Sequence, residues 1–366
     1  MADAIDPQSP RYARQRVLPG FGALGQRRLA DAHVVVLGAG GLGSAVVPVL
    51  VAAGIGRITV VDDDRVDVTN LHRQTLHRPA DVGRSKVDSA ADAAAALSAE
   101  TDVVAVPTRF DAGNADALLS DADLVIDGTD DVLTTYLADD AAARAGIPLV
   151  WGSAARFSGQ VGVSWEAHGV SYRDLFPEPP ADAGLSCEVD GILPTVCTVT
   201  GGMMAGEALK LLTGIGEPLL GRVIVYDALS GRSREIGYRR ATDAASTRSA
   251  ATALEARPAD AVGDVEASAL ADELASEAPP LLLDVREPWE AEFAAIPGST
   301  LIPLGELGDR VAELDPAASV VVYCHLGVRS LYAARQLLGA GFGRVRNLAG
   351  GIDAWSRTVD AAVARY

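Results

Sequence analysis

Lysine is nearly missing from this chain. Its 366 residues hold two, Lys86 and Lys210, and arginine supplies the rest of the positive charge. Beside so much alanine, this reads as a coding bias, so most single arginines are ordinary and a retained lysine needs a reason. Cysteine is scarce too: Cys187, Cys197 and Cys324 contain no CxxC pair. That excludes a disulfide framework and a thiolate zinc site, and leaves individual thiol chemistry. No run approaches the roughly 20 apolar residues of a membrane span. Met1 to Pro10 has neither the basic n-region nor the apolar h-region of a signal peptide, so a cytoplasmic location is expected. Basic side chains number 31 against 49 acidic ones, a net charge of −18. Such a surface repels nucleic acid and anionic membranes, and neither is expected as a partner.

What is present is enough chain for two cores. Short apolar or β-branched runs at 33–37, 58–62, 102–106, 124–127 and 149–151 alternate with alanine-rich stretches such as 44–53 and 85–97. That rhythm predicts βαβ units, hence an α/β fold with a mostly parallel sheet covered on both faces. From Arg239 the pattern dissolves into ATDAASTRSAATALEARPADAVG, small and polar, which suits a linker. Beyond it, strands are expected at 281–285, 300–302 and 320–323. Helices are expected at 268–274, capped by Ser268, at 307–314 and at 330–338. The expected organisation is a first domain at 1–240, a linker at 241–263 and a smaller α/β domain at 264–366.

In VVVLGAGGLGS, the glycines Gly38, Gly40, Gly41 and Gly43 follow a buried strand and open a helix. Glycine permits a tight turn and close backbone approach, and the helix N-terminus offers N–H groups to phosphate. Asp62 ends the next strand, where a ribose hydroxyl would be held. This alone does not choose between NAD and ATP. The residues that follow do: Asn70, Arg73 and Gln74 in NLHRQTL, Lys86 in VGRSK, then Asp127, Asp130 and Asp131 in DLVIDGTDD. Hydride transfer needs no cation at the phosphates, whereas phosphoryl chemistry needs charge neutralisation and a carboxylate for Mg²⁺.

In order and spacing, RYARQRVLPGFG, VLGAGGLGS, VDDDRVDVTNLHRQTLH, VGRSK and DGTDD resemble the MoeB/ThiF family over about residues 11–238. The resemblance implies a Rossmann-like domain that binds MgATP. It would adenylate the C-terminal glycine of a ubiquitin-like sulfur carrier protein ending in Gly-Gly. Asp62 would then hold the ribose, Asn70, Arg73 and Lys86 the phosphates, and Asp130 the Mg²⁺. Arg14 would reach into the partner subunit of a homodimer. Two departures stand out. The family's cysteine pairs are missing at Ser171-Tyr172-Arg173-Asp174 and around Tyr238, so no structural zinc is expected. Where many relatives read TDNxxxR, this chain has Asp131 and Thr135, one cation fewer. The proline-rich stretch 173–197 resembles the loop covering the carrier tail, and YRDLFPEPP resembles the fused actinobacterial type. Cys187 falls where such relatives carry an attacking or resolving thiol, while Cys197 reads as packing.

Near the C-terminus, VVVYCHLGVRSLYAARQLL is strand, loop and helix, with Cys324 at the strand's end and Arg329 at the loop's end before Ser330. Backbone N–H groups, a helix N-terminus and a guanidinium would all favour a thiolate there. A phosphatase loop holds one more residue than the four here, His325, Leu326, Gly327 and Val328; the smaller ring suits a persulfide. LLLDVREPWE, IPGSTLIP and NLAGGIDAW resemble the rhodanese family, with Ala295 in place of its usual histidine and with Asp284 and Arg286 read as structural. The joint expectation is ATP-dependent activation of a carrier carboxylate, then attack by a Cys324 persulfide loaded from a donor such as thiosulfate, with Cys187 or a reductant releasing the carrier thiocarboxylate. Molybdopterin, thiamine, cysteine and tRNA thiolation all use this chemistry. Two other readings compete: an NAD-linked oxidoreductase with a regulatory C-terminal domain, and a scaffold that binds carriers without turnover.

Overall fold

The valines of HVVVL divide between two cores. β1 (His33–Leu37) is buried at every position. Val34 and Val36 pack with one hydrophobic cluster, and Val35 and Leu37 with another on the opposite face. A strand with period-2 side chains needs such a run only when both faces are covered, and burying one such side chain fully is worth about 1.5–3 kcal/mol. This is a computed structural model, describing residues 5–179, 191–240, 262–276 and 278–365. By its contacts the chain divides into two units, Met1–Ala250 and Ala251–Tyr366.

In the first unit, β2 (Arg57–Val61), β3 (Asp102–Val106), β4 (Leu124–Asp127) and β5 (Leu149–Ala155) join β1 in a parallel array ordered β3-β2-β1-β4-β5. β6 (Ser158–Ser164), β7 (Arg222–Asp227) and β8 (Arg232–Gly237) extend it antiparallel. The helices are α1 (Ala13–Arg16), α2 (Gly22–Asp31), α3 (Gly43–Ala53), α4 (Lys86–Leu97), α5 (Ala115–Leu119), α6 (Val132–Ala145) and α7 (Pro194–Thr213). Residues of α2, α3, α4 and α7 build one core; residues of α5 and α6 build the other. Strand order reverses between β1 and β4, which opens a crevice at their C-terminal ends. Sequence periodicity did not reveal β8: RSREIG is exposed throughout and pairs with β7 through its backbone.

The second unit is a five-stranded parallel sheet, β11-β10-β12-β13-β9, from β9 (Gly263–Val265), β10 (Leu281–Asp284), β11 (Thr300–Leu301), β12 (Val320–Tyr323) and β13 (Val345–Leu348). Its helices are α8 (Ala267–Leu274), α9 (Pro288–Phe293), α10 (Leu307–Arg310), α11 (Val328–Gly339) and α12 (Gly351–Thr358). Three expectations need correction. Ser268 does not cap α8, which starts one residue earlier behind Glu266. The helix expected at 307–314 is one α turn followed by a 3₁₀ turn, Val311–Glu313. Ser330 does not open α11, which begins at Val328, so Arg329 belongs to its first turn. Cys187 and the linker residues 241–261 lie outside the described residues.

Candidate active sites

Glycine spacing builds the first site. Gly38 turns the chain out of β1 at φ +86°, and a Cβ there would meet the Gly128 backbone at 3.1 Å. A Cβ on Gly43 would lie 2.1 Å from Gly38 O, and one on Gly41 2.6 Å from Cys197 Sγ. These two glycines let the loop fold on itself and against α7. At Gly40 the nearest atom to such a Cβ, Gln74 Nε2, is 3.6 Å away, an ordinary contact, and there the loop borders an open space. The space is a cleft of about 390 Å³ lined by Gly38, Gly40, Gly41, Asp62, Asn70, Arg73, Gln74, Lys86, Asp130 and Cys197. The structure thus brings together the residues expected to hold nucleotide in this cleft, except Gly43, which packs beneath the loop; Arg14, expected in a partner's cleft, lies exposed on α1 and does not line this one. Cys197 is buried as expected, yet it also forms part of the cleft wall.

The loop is held from two sides. Asp62 accepts the Ala39 N–H at 2.7 Å and the Asp64 N–H at 2.8 Å. Burial raises the Asp62 carboxyl above its ordinary range, while the Lys86 charge and those N–H groups pull it back. His77 Nε2 meets Ala39 O at 2.8 Å and its Nδ1 meets Ser89 Oγ at 2.9 Å. A carbonyl can only accept, so Nε2 carries the proton. Burial lowers the imidazole pKa, which keeps it neutral. His77 sits inside the motif NLHRQTLH but carried no role in the sequence reading. Its signal was its place in a run otherwise made of site residues.

Lys86 opens α4 nearly buried, with Nζ 2.7 Å from Asp64 Oδ2. Arg73 donates to Thr69 O at 3.3 Å. The missing arginine leaves Thr135 buried in the cleft wall, and a cation unmarked by any motif lines the same cleft: Arg109, 3.0 Å from Asp131 Oδ2. Asp131 caps α6, accepting the Leu133 N–H and the Thr134 hydroxyl. Beneath it, Asp127 is fully buried. Its Oδ1 accepts Thr129 N–H and Oγ–H, while burial pushes its carboxyl up to about 6. Asp62, Asp63, Asp64, Asp130 and Asp131 outnumber the cations Arg73, Lys86 and Arg109 along the cleft. A bare polyphosphate would meet net repulsion there, so the donor set fits a nucleotide that brings a divalent cation.

The stretch lacking cysteine pairs is closed by other means. Tyr172 packs edge-on to Trp151 and Tyr136, with ring centroids 5.1 and 5.0 Å away, and lies 4.9 Å from Phe176. Arg173 makes a two-point pair with Asp140 at 3.1 and 2.8 Å, and Tyr238 donates to Val163 O. These side chains offer no thiolate, and the arrangement does not fit zinc.

Cys324 follows β12 and is 2% exposed, its Sγ accepting the Gly327 N–H at 3.2 Å. Gly327 adopts φ +96°, and a Cβ there would press on Gly350 N at 3.1 Å. The start of α12 pins the loop: Ile352 N–H donates to Cys324 O and Asp353 N–H to His325 O. Arg329 was expected to give its charge to the sulfur. The structure shares that guanidinium with Glu290 of α9 through two 2.6 Å bonds, a partner that PWEAEF did not announce. Behind the loop, Arg286 and Asp284 form a fully buried pair at 2.6 Å, and Tyr323 donates to Asp284. Burial lowers the His325 pKa.

The ThiF family profile matches residues 12–247, and the rhodanese-like domain profile matches 266–358. The chain is 41% identical over 371 residues to a probable adenylyltransferase/sulfurtransferase MoeZ of Mycobacterium tuberculosis, covering 97% of this chain and 95% of that one. It is 36% identical to the adenylyltransferase and sulfurtransferase MOCS3-1 of Zea mays, covering 96% and 82%. It is 46% identical over 236 residues to a sulfur carrier protein adenylyltransferase of Thermus thermophilus, covering 63% and 87%. Among solved structures, E. coli MccB with ATP aligns at a TM-score of 0.57 and 21% identity, covering 65% of this chain and 74% of that one. That likeness concerns the fold alone.

Proposed function

The chain belongs to the ThiF family, with a rhodanese-like domain behind its adenylating one, and from that premise we propose that it converts the C-terminal glycine of a ubiquitin-like sulfur carrier into a thiocarboxylate. It is an adenylyltransferase and a sulfurtransferase. A carboxylate is a poor electrophile, so the carrier's terminal oxygen first attacks the α-phosphorus of ATP, and pyrophosphate leaves. Arg73 and Lys86 neutralise charge developing on the phosphates, Asn70 orients them, and Asp62 holds the ribose. Asp130 would hold Mg²⁺, which when bound lowers the repulsion between triphosphate and cleft. The terminal sulfur of a Cys324 persulfide then attacks the acyl carbon, expelling AMP and forming an acyl disulfide. A second thiol, Cys187 or an external reductant, attacks that disulfide at Sγ and releases the thiocarboxylate, leaving a disulfide on Cys324. Thiosulfate serves as sulfur donor, and sulfite leaves when the persulfide forms. The protein acts as a homodimer in the cytoplasm, with Arg14 reaching into the partner's cleft. Among the described residues no helix is long and apolar enough to cross a membrane.

Lys86 carries this reading. A nearly buried ammonium beside a glycine loop serves phosphate chemistry and has no task in hydride transfer, which disfavours an NAD-linked oxidoreductase. The test is ATP–pyrophosphate exchange with and without carrier proteins captured from the native extract, their tails read by mass spectrometry for trapped AMP. Exchange that appears only with a carrier ending in Gly-Gly is expected. Exchange indifferent to any carrier contradicts the proposed substrate, and no exchange with every carrier captured contradicts the proposal and favours a scaffold.

The packing around Tyr172 leads to a separate expectation. Purified, dialysed protein should contain far less than one zinc per chain, and a chelator should leave its melting temperature unchanged. Elemental analysis at stoichiometric zinc would show that other ligands take over the family's structural role.

A further inference from the structure

Cys324 sits at the end of a polar chain that the reaction scheme does not use. Ser330 Oγ lies 2.6 Å from Asn347 Oδ1 and 3.4 Å from Cys324 Sγ. Asn347 Nδ2 donates to Asp264 Oδ1 of β9 at 2.9 Å. Ser330, Asn347 and Cys324 are 0%, 5% and 2% exposed, so water has little access to this chain. The Asp264 carboxylate can only accept, which settles the direction of the Asn347 amide: its NH₂ faces β9 and its oxygen faces Ser330. The serine hydroxyl has one proton for two acceptors. Against a neutral sulfur, a weak acceptor, the amide oxygen wins; against a thiolate, the anion wins.

We propose that Asn347, oriented by Asp264, is a positioning residue that holds the Ser330 proton until negative charge develops on Cys324 Sγ. When a nucleophile such as cyanide takes the terminal sulfur of the persulfide, as in the donor-to-cyanide half of sulfurtransferase turnover rather than in the carrier step, the Sγ–S bond breaks and its electron pair moves to Sγ. The Ser330 O–H then turns from Asn347 Oδ1 to Sγ, and no proton changes owner. The same turn serves the attacking thiolate when the persulfide forms. The purpose of the device rests on the sulfurtransferase reading, but its test does not.

Other charged groups surround the loop: His325 within it, Arg329 with Glu290 of α9, Arg286 with Asp284 behind β10, and Asp353 of α12. The variants below leave all of these in place. The readout is the pH dependence of Cys324 alkylation by iodoacetamide in the full-length protein, followed on the Cys324 peptide by mass spectrometry. It needs no sulfur donor, so it stands whether or not thiosulfate is used. Ser330→Ala should slow alkylation near neutral pH by about tenfold, as for one hydrogen bond lost from a charged group, and shift the profile to higher pH. Asn347→Leu removes the competing acceptor and should shift it the other way, and the double variant should match Ser330→Ala. Because Asn347 is buried, Asp264→Ala at an exposed position provides the second arm. It frees the amide to turn and should shift the profile in the Asn347→Leu direction, whereas Asp264→Asn, which keeps an acceptor oxygen, should stay near wild type. Shifts of equal sign for Ser330→Ala and Asn347→Leu, or an Asp264→Ala profile identical to wild type, overturn the proposal.

Discussion

Lys86→Ala should lower carrier-dependent ATP–pyrophosphate exchange by on the order of 10²-fold or more, the loss typical when a preorganised charge is removed from a transition state. Asp130→Ala should abolish it. The fold should survive both changes. Lys86 is nearly buried, but its ion-pair partner Asp64 is 67% exposed, and Asp62, which loses the help of the Lys86 charge, keeps the Ala39 and Asp64 N–H donors. Asp130 has no hydrogen bond to another side chain among the described contacts of the cleft, and the cap of α6 belongs to its neighbour Asp131. Exchange rates measured beside thermal melts separate the chemical effect from a structural one. Unchanged exchange in both variants would remove the adenylating role from this cleft.

The second large effect belongs to the other unit. Cys324→Ala should eliminate thiosulfate:cyanide sulfurtransferase activity while leaving pyrophosphate exchange at the wild-type rate. Among the described residues no other thiol is seated beneath the Gly327 N–H and the start of α11. The second unit also has its own two cores, which include no nucleotide-cleft residue. Removing one buried sulfur leaves a small void and should destabilise that unit by about 1 kcal/mol, too little to unfold it. Dithiothreitol should not restore activity, because a reductant cannot supply the missing persulfide carrier. Residual transfer by Cys324→Ala would move the sulfur chemistry to another thiol.

How much of this was legible depended on what each residue was doing. The parallel half of the first sheet could be read because a strand buried on both faces leaves a run such as HVVVL. The nucleotide loop could be read because glycine is demanded at Gly38, Gly41 and Gly43 by contacts no side chain can share. β8 could not, because its pairing uses backbone groups and its side chains face solvent. Helix starts were misjudged for a related reason: Ser268 has the chemistry of a cap, but α8 begins before it. The site residues that escaped notice act across the chain. Arg109 meets Asp131 22 positions away, Glu290 meets Arg329 39 away, and Asn347 meets Asp264 83 away. Nothing local marks such partners, since an arginine or asparagine in a loop or strand has the same appearance whether it is solvated or paired.

The central claim is that one chain activates a carrier carboxylate and replaces its oxygen with sulfur. The most direct measurement is the intact mass of a carrier ending in Gly-Gly after incubation with the full-length protein, MgATP, thiosulfate and dithiothreitol. The account predicts that the carrier gains the mass difference between sulfur and oxygen at its C-terminus, with one AMP formed for each thiocarboxylate and none of either without ATP. A carrier recovered at its original mass while AMP accumulates, or converted without ATP, would contradict it.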